Sequence, residues 1–242
     1  MSKTAIIIPA RYGSTRLEGK PLIKVMDKPI IQWVYEKAMM SKEADIVIVA
    51  TDDERIFNAV KSFGGNVEMT SKEHKCGSDR IKEVVMRHPE ISYIVNLQGD
   101  EPLIKPESID DVAKNVKFKD ADISTLIRKI TAEEAENPNL VKCVVDVNGY
   151  AMYFSRSKIP FERNVGKSDF FGHLGIYGYK REALVKMTEM PQTPYEMAES
   201  LEQLRALQNG MKIKTSVVDF VPVGIDTADD LEKFKKIVEK SL

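Results

Sequence analysis

The sequence predicts an α/β fold built on a mostly parallel sheet flanked by helices. Two observations predict it. Short apolar runs alternate with longer stretches of helical period through the first hundred residues, and the apolar residues of those runs are nearly continuous. Continuous runs suit strands covered on both faces by helices, and strand–helix alternation implies parallel pairing through crossover connections. Residues 5–8, 46–50 and 93–97 are the strand candidates of this half. Between the first two, Ile30, Ile31, Val34, Tyr35, Ala38 and Met39 recur on one face of a helix, with Pro29 at its first turn. Residues 53–63 read as a second helix stopped by Gly64-Gly65, and 77–86 and 108–118 as two more. The middle differs. Strand candidates 125–130, 141–146, 150–155 and 173–179 follow one another with few helices, and Asn148-Gly149 predicts a tight hairpin turn. A helix over 196–208 carries Leu201, Leu204 and Leu207 on one stripe, and a last one over 228–242 carries Leu231, Phe234, Val238 and Leu242. No Gly-, Pro- or Ser-rich linker breaks the chain. The expectation is one domain over 1–242 with a small β-rich insertion at about 123–180.

Charge and composition exclude several classes. The chain carries 36 Lys and Arg against 37 Asp and Glu, a net charge of −1, so no basic excess exists to neutralise a nucleic-acid backbone. At 43% hydrophobic it can bury a core. The longest apolar runs fall far short of the ~20 residues that cross a bilayer, and the one near the N-terminus is too short for a signal peptide. Cys76 and Cys143 make no disulfide framework, and no CxxC or HExxH pattern appears. A soluble, cytoplasmic protein with no nucleic-acid or membrane partner is expected.

In an open parallel sheet, ligands bind at the carboxyl ends of the strands. The first strand leads into Pro9-Ala10-Arg11-Tyr12-Gly13-Ser14-Thr15-Arg16-Leu17-Glu18-Gly19-Lys20-Pro21, where Arg11, Arg16 and Lys20 are interleaved with Gly, Ser and Thr. Such a loop can wrap a polyphosphate, backbone N–H groups approaching through the glycines while the cations neutralise charge. It is neither a GxGxxG fingerprint nor a P-loop. Asp100, in Asn96-Leu97-Gln98-Gly99-Asp100-Glu101-Pro102, stands after a strand, where a carboxylate suits Mg²⁺ or caps the following helix. Asp226 precedes the last helix, where Asp and Thr are ordinary N-caps, and reads more readily as one than as a metal ligand. Cys76-Gly77-Ser78-Asp79-Arg80 opens a helix. His173, Gly175 and Tyr177 share one face of a strand, where His and Tyr can hydrogen-bond a hydroxylated ligand.

Taken together, PARYGSTRLEGKPL, VATDD, MTSKEHKCGSDRI, NLQGDEPLI, YFSRSKIPF, HLGIYGY, ESLEQLRAL and GIDTADDL resemble the 3-deoxy-manno-octulosonate (Kdo) cytidylyltransferases, in order over nearly the whole chain. The resemblance implies the nucleotide-diphospho-sugar transferase type of α/β fold, with the β-rich insertion contributing to a homodimer. It implies transfer of CMP from CTP to Kdo, with release of pyrophosphate, for lipopolysaccharide biosynthesis. Arg11, Ser14, Arg16 and Lys20 would hold the CTP phosphates, with Ala10 also in the CTP site. Ser78, Asp79 and Arg80 would lie near cytosine and ribose. Asp100 and Asp226 would ligate Mg²⁺, and with Lys20 form the catalytic set. Gln98, Arg156, His173, Tyr177, Glu202 and Gln203 would line the pocket of the 3-deoxy-2-keto sugar acid. The chain departs from the family's usual pattern at Glu18, Cys76, Gly172 and Ala228. Gly172 stands where most relatives place a cation beside the sugar pocket, which brings 8-amino-Kdo in as an alternative substrate. On a regular strand, though, residue 172 faces away from His173. A sialic-acid-like nonulosonate, a dinucleotide-dependent redox enzyme and a non-catalytic nucleotide-binding regulator are the rival readings.

Overall fold

The computed structural model describes residues 2–13, 17–221 and 224–240. Its chain forms two compact units, one of residues 1–110 and 222–242, the other of residues 111–221.

The first unit holds strands β1 (Lys3–Ala10), β4 (Ile46–Thr51), β5 (Val67–Met69) and β6 (Ile91–Asn96) in the order β6-β1-β4-β5, all parallel. Between β1 and β4 lie a 3₁₀ turn (Lys20–Leu22), a two-stranded ribbon of β2 (Lys24–Val25) and β3 (Lys28–Pro29), and helix α1 (Ile30–Met39). Helices α2 (Glu54–Ser62), α3 (Gly77–Arg87) and α8 (Ala228–Lys240) complete it, and the boundary between units falls within α4 (Pro106–Phe118). The continuous run Ala5–Ile8 is completely buried, as two-sided cover requires. Helix α1 buries Ile30, Ile31, Val34, Tyr35 and Ala38 of the face its periodicity marks but leaves Met39 exposed, while Asp53 caps α2 by accepting from the Arg55 N–H at 2.9 Å.

The second unit pairs β7 (Ile123–Ile130) antiparallel with β10 (Phe170–Lys180) and parallel with β11 (Ile213–Val218). Strand β8 (Lys142–Val145) pairs antiparallel with β10, and β9 (Ala151–Ser155) with β8. A turn joins β8 to β9, with Gly149 at φ 75° and the Asp146 carboxylate accepting from the Asn148 and Tyr150 N–H groups. Helices α5 (Arg181–Glu189), α6 (Pro194–Glu199) and α7 (Gln203–Gln208) follow β10.

Here the structure corrects one expectation. The helix expected over 196–208 is two short ones, broken where Ser200 takes a left-handed conformation (φ 53°). The Glu196 carboxylate explains the break. It accepts from Arg205 Nε at 2.8 Å and Nη2 at 2.5 Å, and both side chains are almost fully buried. On a straight helix, nine residues separate the two by about 14 Å of rise. Folding back lets the buried charges meet, and an unpaired one would cost far more than a broken turn.

Candidate active site

The end of β1 and two distant acids build one cleft in the first unit. Gly19, at φ 66°, donates its N–H to the Tyr12 carbonyl at 2.9 Å and starts the turn that carries Lys20. A side chain there would be strained, and its Cβ would stand 3.0 Å from the Tyr12 ring. On that ring the Arg55 guanidinium lies 3.2 Å from the centroid, itself held by the Asp53 carboxylate. The base of the loop is thereby fixed from two sides. Ser14 and Arg16 lie outside the described residues.

Lys20 Nζ donates to Asp100 Oδ2 at 2.6 Å and to Asp226 Oδ1 at 3.2 Å, so three residues far apart in sequence converge on one point. The Ile225 N–H donates to the Asp100 carbonyl at 2.9 Å, tying the two acid-bearing segments together. Asp226 is not spent as a helix cap. Thr227 Oγ1 accepts from the Asp230 N–H, and the Asp230 carboxylate accepts from the Asp226 and Thr227 N–H groups, which leaves the Asp226 carboxylate to Lys20. Pro9, Ala10, Arg11, Lys20, Gln98 and the two acids line a cleft of about 370 Å³. Arg11 Nη2 is buried without an acceptor among the described residues, a donor set for an anion. Gln98 donates to Asn96 Oδ1 at 3.2 Å.

Sequence reasoning missed Glu101, the next acid along. Its Oε2 is buried and without a partner among the described residues, and burial, followed by the charges of Asp100 and Asp226, raises its pKa to about 7. Only burial marks it out, and no local signal in the sequence predicts that.

Residues 78–80 divide. Gly77 opens α3 against Pro9, close enough that an added Cβ would lie 3.4 Å from the proline ring. Ser78 is buried behind it. Arg80 is fully buried, donating to Asp52 Oδ2 at 2.8 Å and to Thr70 Oγ1. Asp79 lines a separate pocket of about 540 Å³ with His74, Lys82, Glu83, Met86 and Arg87.

The second unit gathers the remaining site candidates. His173 and Tyr177 share the outward phase of β10, their ring centroids 5.3 Å apart. The Phe154 ring stands edge-on to His173 at 5.1 Å. Burial lowers the His173 pKa to about 3, so the imidazole is neutral. Burial, then the neighbouring Tyr179 and Glu202, raises the Tyr177 phenol. Glu202 stands at the start of α7 and Gln203 is buried in its first turn. Arg156 is pinned: its N–H donates to Glu199 Oε2 at 2.8 Å, and its guanidinium donates to the carbonyls of Glu199 (2.7 Å) and Pro138 (3.3 Å).

Gly172 is corrected. It lies on the opposite phase of β10, where an added Cβ would meet Ile130 Cγ2 at 3.0 Å and Leu140 Cδ1 at 3.1 Å. These belong to a small apolar cluster with Ala135 and Phe170. The position therefore opens into packed hydrocarbon, away from His173, and its lack of a cation says nothing about charge beside a sugar. Gly172→Ala is expected to leave kcat/KM unchanged for every sugar acid and to lower Tm by a few degrees, since overpacking costs about 1–3 kcal/mol. A change in sugar preference, measured by steady-state kinetics, would contradict this.

A basic loop after β1, a lysine shared by two carboxylates and an arginine donor without a partner among the described residues suit nucleotidyl transfer. The comparisons agree, because a family model described as Cytidylyltransferase matches residues 5–213. A 3-deoxy-manno-octulosonate cytidylyltransferase of Thermodesulfovibrio yellowstonii is 50% identical over 247 aligned residues, covering 96% of this chain and 97% of the relative. One of the same description from Fusobacterium nucleatum is 49% identical, covering 97% and 96%. A solved structure of CMP:2-keto-3-deoxy-manno-octonic acid synthetase complexed with CTP superposes with a TM-score of 0.96 at 43% identity, covering all of both chains. The chain belongs to the 3-deoxy-manno-octulosonate cytidylyltransferases.

Proposed function

We propose that the protein transfers CMP from CTP to the anomeric hydroxyl of Kdo. The new bond joins that oxygen to the α-phosphorus, and the bond to the bridging oxygen breaks as pyrophosphate leaves. The observation that carries this reading is the meeting of Lys20, Asp100 and Asp226 at one point in a cleft that also holds an unpaired Arg11 donor. Transfer of this kind asks mainly for positioning and charge neutralisation. Arg11 and Lys20 supply positive charge to the phosphates, with Ser14 and Arg16 of the same loop, and Ala10 borders the nucleotide. At the start of α3, which lies against Pro9, Ser78 would serve the base and ribose end, with Arg80 holding that turn from the core while Asp79 faces the separate pocket.

Asp100 and Asp226 fit a magnesium ion. They are hard oxygen donors, and both already reach a single cation, the Lys20 ammonium. Bound there, the ion would supply Lewis-acid stabilisation of the charge developing at the α-phosphate. In the second unit, Arg156 offers a charge-assisted pair to the sugar carboxylate, while His173, Tyr177, Glu202 and Gln203 meet its hydroxyls. The enzyme would work in the cytoplasm and feed lipopolysaccharide biosynthesis; no helix among the described residues is long and apolar enough to cross a membrane. Phe161 and Val165 are 90% and 85% exposed in the β-rich part, surface suited to a second copy in a homodimer.

Incubation with CTP, Mg²⁺ and a panel of Kdo, 8-amino-Kdo and a sialic acid, following pyrophosphate, tests the reading. Kdo is expected to give the highest kcat/KM. Turnover of the sialic acid alone would overturn it.

A further inference from the structure

The pairing of β10 with β7 slips in the middle. His173 stands opposite Ile127 and Leu174 opposite Leu126, yet the next partner of β7, Thr125, stands opposite Tyr177. Gly175 and Ile176 are therefore extra, a bulge of the kind that re-aims side chains beside functional sites. Thr125 is buried beneath it. Its Oγ1 lies 2.7 Å from the Ile176 carbonyl oxygen, 3.1 Å from that of Leu174, and 3.0 Å from His173 Nε2.

These three distances settle who donates. Carbonyl oxygens only accept, so the single hydroxyl proton of Thr125 must point at them; otherwise oxygen would face oxygen at 2.7 Å with no proton between. The Thr125 lone pair then faces His173 Nε2, which must carry the imidazole proton. In a neutral imidazole one nitrogen donates and the other accepts, so Nδ1 is left bare. Among the described residues nothing else hydrogen-bonds the His173 imidazole; the Phe154 and Tyr177 rings hold its plane.

We infer that Thr125 is a positioning residue that locks His173 as the Nε2–H tautomer, so that Nδ1 accepts a hydrogen bond from a hydroxyl of the sugar. The low His173 pKa is consistent with this, since a protonated ring would have no acceptor to offer. The assignment rests on His173 lining the sugar pocket. It adds a chemical rule to that reading: the group met by His173 is a donor. A keto or methoxy group at the same carbon, which cannot donate, is selected against.

The protein has three histidines, and ¹⁵N-histidine labelling reads the tautomer of each in the free enzyme. His173→Phe identifies the signal. The expected wild-type result is a ring that stays neutral from pH 5 to 8 with the proton on Nε2. Thr125→Val keeps the shape but removes the lone pair. It should shift His173 towards the Nδ1–H form and raise KM for Kdo about tenfold, with KM for CTP and kcat within twofold. Thr125→Ser, which restores the hydroxyl, should restore both signals. A wild-type Nδ1–H ring would overturn the inference. So would a Thr125→Val enzyme with an unmoved KM for Kdo, if His173→Phe raises it. If His173→Phe itself leaves the KM for Kdo unchanged, the pocket reading falls, and the inferred acceptor role with it.

Discussion

Asp226→Asn is expected to lower turnover by about 10²-fold or more while leaving Tm almost unchanged, because on the proposed reading one of the two carboxylates that would hold the magnesium ion loses its charge. The split follows from geometry. The carboxylate of Asp226 faces Lys20, whereas capping of α8 is done by Thr227 and Asp230. Asn keeps the shape, so the fold has no reason to respond. Asp100→Asn should behave in the same way, its carboxylate lying 2.6 Å from Lys20 Nζ. Rates of pyrophosphate release at limiting Mg²⁺, with thermal melts alongside, measure both halves. Normal turnover in Asp226→Asn would remove the paired-carboxylate site.

The second large effect belongs to Lys20. Lys20→Ala removes a cation from the cleft proposed to hold the triphosphate, and leaves two carboxylates facing each other. A fall in kcat/KM for CTP of 10²-fold or more is expected. Lys24 is the control. It is exposed on β2, four residues on in the same basic stretch, and Lys24→Ala should stay within twofold. Equal, small losses at both positions would mean that the loop is merely a solvated basic turn.

Much of this was legible in the residues themselves. Helix α1 starts and stops where its apolar spacing and Pro29 place it, and the continuous strands β1, β4 and β6 lie within a residue or three of their apolar runs. Half-polar elements were not legible. Strand β11 carries Lys214 and Ser216 between its apolar residues and is buried on alternate positions only. The break at Ser200 was hidden because residues 196–208 contain no Gly or Pro and the leucine stripe begins directly after it. It exists for the sake of the Glu196–Arg205 pair, a tertiary contact that periodicity cannot express. The site shows the same division. Asp100, Asp226 and Lys20 were recognisable from motif resemblance, but residue type alone left Asp226 as a helix cap. Thr125 could not be found at all, because its partners are 48 to 51 residues away and meet it only through a bulge.

The first unit is discontinuous, and that has a consequence during synthesis. Lys20 and Asp226 are separated by 206 positions, with the whole second unit encoded between them. A ribosome releases the four parallel strands, then every strand and helix of the second unit, and only then the acid that completes the cleft. Chains generally fold domain by domain as they emerge. The second unit, contiguous in sequence, can condense while the first still awaits α8, whose Leu231, Phe234 and Val238 are buried in the finished protein. Until then a nascent chain has the phosphate loop and Asp100 but not Asp226. Closing so long a loop adds only slowly to the entropic cost, because that cost grows with the logarithm of length. The delay therefore weighs on timing more than on final stability: the proposed nucleotide chemistry waits until the whole second unit has been translated.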